Sequence, residues 1–320
     1  MQGRARSGRG GGFKPSIERP KSGAPLSPPV SPKPRVVRAA AIQMRMHEDV
    51  GTNVKRCVEM VHKAADQGAT LVVTPELFGS LYFCQREDAA FFDLAEPIPG
   101  PTTRTLAAAA KERGIALVGS LFERRAPGLF HNTSVVFDKT GEMVGKYRKM
   151  HIPDDPNYYE KFYFTPGDLG FQAFATSAAK VGTLVCWDQW YPEGARLTAM
   201  KGAEVLTYPT AIGAHAREPA GIPERQRDAW MTIQRAHAIA NGVFVVVANR
   251  VGQEEEMRFW GSSFIAGPLG EILAQGSQDK EEVVVADLPM DDVDVVREGW
   301  PFFRDRRIDA YGEITRRWGE

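Results

Sequence analysis

Residues 183 to 209, TLVCWDQWYPEGARLTAMKGAEVLTYP, confine the fold of this chain more than any other stretch. Val181 to Val185 is a short apolar run and reads as a buried strand ending in Cys186. A polar and aromatic turn follows, then a helix opened by Pro192 and Glu193, with Gly202 near its end. Proline in the first turn, an acid beside it and a late glycine are helix start and stop signals. Glu204 to Tyr208 reads as the next strand. A thiol at the C-terminal end of a strand, just ahead of a helix, is displayed as nucleophiles are in α/β enzymes. By itself the same position also suits a buried structural cysteine.

The alternation extends along most of the chain. VVRAAAIQM reads as a strand, Val50 to Gln67 as an amphipathic helix and Leu71 to Thr74 as a strand. Thr103 to Arg113 is a helix and Ile115 to Phe122 a strand. HNTSVVFD and EMVGKYRK form a hairpin across Lys139-Thr140-Gly141. A helix from about Glu224 to Asn241 ends at Gly242, and VFVVVANR follows as a buried strand. GSSFIAGPLGEILAQ is a second hairpin, EVVVADLPM a last strand, and the remainder helix and tail. Interleaved strands and helices indicate one α/β domain, and the hairpins mean its sheets are not purely parallel.

Two upstream segments carry reactive side chains near strand ends. ATLVVTPELFGS brings Glu76 to the end of one strand, and GEMVGKYRKMHIPDD brings Lys149 to the end of another. A carboxylate, an amine and a thiol on three strands can serve one reaction. The bland alternatives are a surface cation for Lys149, beside Lys146 and Arg148, and a helix-face charge paired with Lys161 for Glu160.

PELF, YRKMHIP and CWDQWYPE, in that order, resemble the nitrilase superfamily of carbon–nitrogen hydrolases. The resemblance covers residues 36 to about 315. It implies a four-layer αββα sandwich and a catalytic set of Glu76, Lys149 and Cys186, with Glu160 in NYYEKFYFTPGD as a further carboxylate holding Lys149 or the attacking water. It also implies protomers paired into a homo-oligomer, for which the basic, aromatic tail WPFFRDRRIDAYGEITRRW offers a contact. The same tail also suits packing on its own domain. MHIPDDPNYYEKFYFTPGD, CWDQWYPEGAR, YPTAIG and FRDRRIDAY look most like the N-carbamoylputrescine amidase branch. That branch implies attack by Cys186 on a ureido carbonyl and release of putrescine, CO2 and ammonia, in polyamine synthesis. The small-molecule partner is then an N-carbamoyl amine. A β-ureidopropionase or other N-carbamoyl amino acid hydrolase is the nearest alternative and an ω-amidase the next. A non-catalytic nitrilase-like interaction domain would be expected to lose a member of the set, and none is lost.

An unassisted thiol is only a few per cent thiolate at pH 7, so something must accept its proton. Glu76, behind Pro75 at a strand end, and His151 are the candidates, with Glu76 ranked first because a buried carboxylate can take and return a proton. Lys149 and the Trp187 N–H are placed to stabilise an oxyanion. Trp187, Trp190, Tyr158 and Tyr159 are candidates for the pocket wall. YPTAIG continues as Ala214-His215-Ala216 where the branch usually continues Ser-Glu-Pro, so His215 stands near a place where an acid would suit a substrate ammonium. Asp154, Asp155, Glu218 and Glu224 are the acids that could replace it.

Composition excludes other classes. Forty basic and forty acidic residues cancel, so no bulk field favours nucleic acid or an acidic membrane. No apolar run approaches the ~20 residues of a membrane span. Three scattered cysteines without a CxxC pair form neither a disulfide framework nor a zinc site, and they fit a reducing, cytoplasmic setting. No metal or cofactor motif is present. Residues 1–35 are rich in Gly, Pro, Ser and basic residues, with Glu18 the only acid. They lack the apolar material to offset ordering entropy and are expected to be a disordered extension to the 36–320 domain. They have no secretory h-region, and their prolines and glycines oppose a transit-peptide helix.

Overall fold

The central runs Ala39–Ile42, Leu71–Val73 and Phe244–Ala248 are apolar on both faces, which is the pattern of a sheet covered on both sides. The computed structural model describes residues 35–319. It contains two six-stranded sheets. The first runs Glu282–Pro289, Val36–Gln43, Leu71–Val73, Ala116–Ala126, Leu129–Phe137 and Met143–Arg148. Its three central strands in that order after the first are parallel, and the flanking pairs are antiparallel. The second runs Ile272–Gln275, Phe264–Ala266, Phe244–Asn249, Val205–Thr210, Lys180–Thr183 and Ala173–Ala175. It too is parallel at its centre and antiparallel at its edges. Both expected hairpins form, in antiparallel register.

The period of two along each strand sorts its side chains between two cores. Ala39, Ala41, Val73 and Val118 of the first sheet meet Val181, Val205, Val246 and Ile265 of the second. Their neighbours Ala40, Ile42, Val72 and Leu117 face outward and pack on Cys57 and Val61 of the helix Val50–Asp66 and Leu106 of the helix Pro101–Arg113. On the far side, Leu206, Tyr208, Val245 and Val247 pack on Ala195 and Ala199 of the helix Pro192–Met200 and on Trp230 and Ala238 of the helix Ile222–Asn241. The layers are therefore helix, sheet, sheet, helix.

Local chemistry sets the helix ends. Asp49 accepts the Thr52 N–H at 2.6 Å as N-cap of Val50–Asp66. Gly242 closes Ile222–Asn241 at φ 55°, and a Cβ there would meet Arg297 Cγ at 2.9 Å. Gly182 lets the helix Pro192–Met200 lie close on its own strand, since a Cβ would meet Thr198 Cγ2 at 2.2 Å.

Three features depart from the sequence reading. The strand before Cys186 stops at Thr183, not Val185. Leu184 N–H still reaches Thr207 O at 3.0 Å, but Val185 N–H turns to the Asp188 side chain at 2.9 Å, which lifts the chain off the sheet. A small third sheet joins the tight hairpin of Val251–Glu254 and Met257–Trp260 to Gly213–His215, a strand on the far side of the helix Ile222–Asn241 in sequence, so its pairing has no local signal. The tail divides its roles. Phe303 lies under Arg196 and Arg297, with guanidinium carbons 4.9 and 5.3 Å from the ring centre, whereas Trp300, Ile308, Ile314 and Trp318 are exposed. The expected N-terminal extension lies outside the described residues except for Arg35. That residue pairs with Glu204 and accepts the Met290 N–H, so it belongs to the fold.

Candidate active site

Four segments converge at the C-terminal ends of the central strands. After Leu71–Val73, Thr74 N–H still bonds Val118 O at 2.9 Å, then Pro75 ends the ladder because it has no N–H. Glu76 follows, and Leu77 turns the chain away at φ 48°. The carbonyls of Glu76 and Leu77 have no strand partner, and the wholly buried Arg250 donates to both at 2.9 Å. Lys149 follows the edge strand Met143–Arg148, held by its N–H on Asn132 O at 2.9 Å and by the Gly167 N–H on its carbonyl at 2.8 Å. Glu160 opens the short helix Glu160–Tyr163. Cys186 sits on the turn after Lys180–Thr183 at φ 43°, with Sγ 3.7 Å from Ala211 O.

Lys149 Nζ lies 2.8 Å from Glu76 Oε1 and 2.6 Å from Glu160 Oε2, and all three side chains are fully buried. Asn132 Nδ2 donates to Glu76 Oε1 at 2.7 Å, and the Tyr82 hydroxyl donates to Glu160 Oε1 at 2.6 Å. Glu76 Oε2 has no hydrogen-bond partner among the described residues. Burial disfavours the Lys149 cation, but the Glu160 and Glu76 carboxylates more than offset this and hold its pKa well above the usual lysine value. Burial, opposed by Lys149 and aided by Glu76, lifts Glu160 to about 7. Burial, followed by the nearby Glu76 charge, drives the Cys186 thiol well above its ordinary value, and Lys149 opposes the shift. The resting thiol is therefore protonated, and a carboxylate oxygen without a partner belongs to the same buried group.

Cys186 opens onto a cavity of about 640 Å³. Tyr158, Trp187, Trp190 and His215 line it, as do Asp155, Arg217, Glu218 and Trp260. Tyr159 does not line it. The Tyr159 N–H bonds Cys84 O at 2.8 Å, and the residue caps the Glu160 helix, so its place in the pocket wall is corrected. His215 lines the cavity with both ring nitrogens engaged. Nδ1 accepts the Arg217 N–H at 3.0 Å, which puts the proton on Nε2, 3.2 Å from Glu256. His151 is also engaged elsewhere, with Nδ1 on Asp188 at 2.7 Å and its ring stacked on Tyr191. Of the acids weighed for the substrate tail, Asp155 and Glu218 reach the cavity, and Asp154 and Glu224 do not line it. Glu218 Oε1 accepts from Gln226 at 3.2 Å, and its Oε2 is buried without a partner among the described residues.

The sequence reading passed over Tyr82, Asn132, Asp188 and Arg250. Their contacts reach across the fold, and their types carry no local signal. A buried strand running straight into Asn249-Arg250 was the one hint, because a charge there must find partners.

The carbon–nitrogen hydrolase family model matches residues 38–298. N-carbamoylputrescine amidase of Solanum lycopersicum is 44% identical over 288 residues, spanning 87% of this chain and 95% of that protein. A citrullinase of Francisella tularensis is 36% identical over 287 residues, spanning 88% and 99%. A crystal structure of a carbon–nitrogen hydrolase from Helicobacter pylori superposes with a TM-score of 0.86 at 45% identity, covering 89% of this chain and 100% of that one.

Proposed function

Because the chain belongs to the carbon–nitrogen hydrolase family, we propose that it hydrolyses N-carbamoylputrescine to putrescine, CO2 and ammonia, with Cys186 as nucleophile. Glu76 takes the thiol proton as Sγ attacks the ureido carbonyl. Lys149 and the Trp187 N–H balance the oxyanion that forms. The tetrahedral species collapses with loss of ammonia, which receives the proton from Glu76, and an N-alkyl carbamoyl group remains on sulfur. Water, deprotonated by Glu76, adds to the carbonyl, and the carbon–sulfur bond breaks as Glu76 returns the proton to Sγ. The N-alkyl carbamate released loses CO2 to leave putrescine. Glu160 keeps Lys149 aimed at the carbonyl. The fully buried Glu76–Lys149–Glu160 array supports these roles.

One observation carries the choice of an amine-ended substrate: the buried Oε2 of Glu218, without a partner among the described residues, in the cavity that holds Cys186. An entering ammonium loses water and needs a charge partner, which Glu218 supplies and His215 does not. The tomato relative's name points the same way. A second reading, a tail that also carries a carboxylate, draws on Arg217 in the same cavity and on the name of the citrullinase relative. Three free cysteines support a reducing, cytoplasmic setting, and the exposed aromatic tail supports a homo-oligomer. No helix among the described residues is long and apolar enough to cross a membrane.

The test is kcat/KM for carbamoylputrescine, citrulline and 3-ureidopropionate, in wild type and Glu218→Gln. Carbamoylputrescine should lead. The variant should raise its KM about 10–100-fold, the worth of one charge-assisted hydrogen bond, and leave 3-ureidopropionate little changed. A lead by 3-ureidopropionate, or an unmoved KM in the variant, would discard the amine-ended substrate.

A further inference from the structure

Asp188, two residues beyond Cys186, is wholly buried and accepts four hydrogen bonds. Oδ2 takes the Val185 N–H and the Tyr147 hydroxyl, both at 2.9 Å. Oδ1 takes the His151 N–H at 3.0 Å and His151 Nδ1 at 2.7 Å. The Asp188 N–H closes the turn onto Val185 O at 3.0 Å. Four donors fill the roughly four lone-pair sites of one carboxylate. They replace the water it loses on burial, so it needs no cation.

These partners lie in or just beyond strands of two different sheets. Val185 leads directly into Cys186 from the second sheet, whereas Tyr147 and His151 stand two residues either side of Lys149 at the edge of the first. We propose that Asp188 is a positioning residue that fixes the thiol of Cys186 relative to the ammonium of Lys149. The proposal rests on the reading of Cys186 as nucleophile. Two further observations favour it. Cys186 sits at φ 43°, a strained conformation for a non-glycine residue, and such strain persists only where neighbours over-determine it. Asp188 does this from within the turn, its N–H on the Val185 carbonyl and its carboxylate on the Val185 N–H. In addition, the His151 ring is locked against Tyr191, with centroids 3.7 Å apart and planes 4° from parallel, so the anchor on the Lys149 side is itself rigid.

The experiment compares wild type with Asp188→Asn, which keeps the shape but turns an NH2 group toward two of the four donors. Three quantities are read: kcat, KM and the rate of Cys186 alkylation by iodoacetamide without substrate. A displacement of about 1 Å at the nucleophile should lower kcat about 100-fold, with KM within about threefold. Alkylation should slow about tenfold or more, because the thiol loses its place beside its base. A fall in Tm with unchanged kcat and alkylation rate would overturn the proposal and leave Asp188 a packing residue. Should Asp188→Asn not fold, Tyr147→Phe and His151→Ala decide. Each removes part of the anchor and should slow alkylation and turnover by about 3–10-fold with little change in Tm, and unchanged rates in both would overturn the proposal. Alkylation needs no substrate. Failure of wild type to cleave carbamoylputrescine, with alkylation still slowed in the variants, would therefore sink the substrate assignment and uphold Asp188.

Discussion

Replacing Lys149 by Met tests the buried charge array through stability rather than turnover. Methionine fills the channel of the lysine stem but leaves Glu76 and Glu160 facing a site that held their shared cation at 2.8 and 2.6 Å. Both carboxylates are fully buried. Removing one partner of a buried ion pair costs about 3–5 kcal/mol, because the other charge is stranded away from water. For a chain of this size that is a Tm loss of roughly 5–8 °C at pH 8. The loss should depend on pH. Glu160 already titrates at about 7 in the folded protein, with Lys149 holding it down, so without Lys149 it titrates higher still. A carboxyl whose folded pKa exceeds its unfolded value of 4.5 keeps a proton that the unfolded chain gives up. Stability then falls as pH rises from about 4.5 through 7 and beyond. Lys149→Met should therefore lie nearest wild type at pH 5 and farthest at pH 8. Adding Glu160→Gln should recover part of the pH 8 loss. Thermal unfolding followed by circular dichroism across pH 5 to 8.5 measures this. A Tm loss under about 2 °C at pH 8, or one no larger than at pH 5, would refute the account of a buried cation shared by two carboxylates.

Two further outcomes follow from the same geometry. Cys186→Ala should fold with a Tm close to wild type, since it removes one small side chain, and lose activity by several orders of magnitude; in wild type under turnover, mass spectrometry should find any adduct on this residue, and near-normal activity of the variant would end the nucleophile assignment. Removing residues 1–34, while keeping Arg35 and its contacts to Glu204 and Met290, should leave kcat/KM and Tm unchanged, and a loss of either would assign those residues a place on the folded domain.

Much of the architecture was legible in the chain because its signals are local. The apolar strand before Cys186, the proline that opens the next helix and the glycine that ends Ile222–Asn241 each act within a few residues, and each element formed close to its expected place. Pattern alone reached only a mixed α/β domain. The two packed sheets came from the resemblance, because alternation marks both faces of a strand as buried without saying what buries them. The order Glu76, Lys149, Glu160 and Cys186 was readable for the same reason, as reactive residues near the ends of short apolar runs or in a recognisable motif.

What the chain by itself determined, then, is which segments become strands and helices and which of them end in reactive side chains. Tertiary structure decided how those ends meet. It set Lys149 between two carboxylates, one of them 73 residues away in sequence, and engaged His151 with Asp188 and His215 with Glu256. It also left Glu218, rather than His215, with a carboxylate oxygen unused at the cavity among the described residues. Propensity and periodicity act over a few residues, whereas hydrogen bonds in a buried site are satisfied by whatever the folded chain brings within about 3 Å.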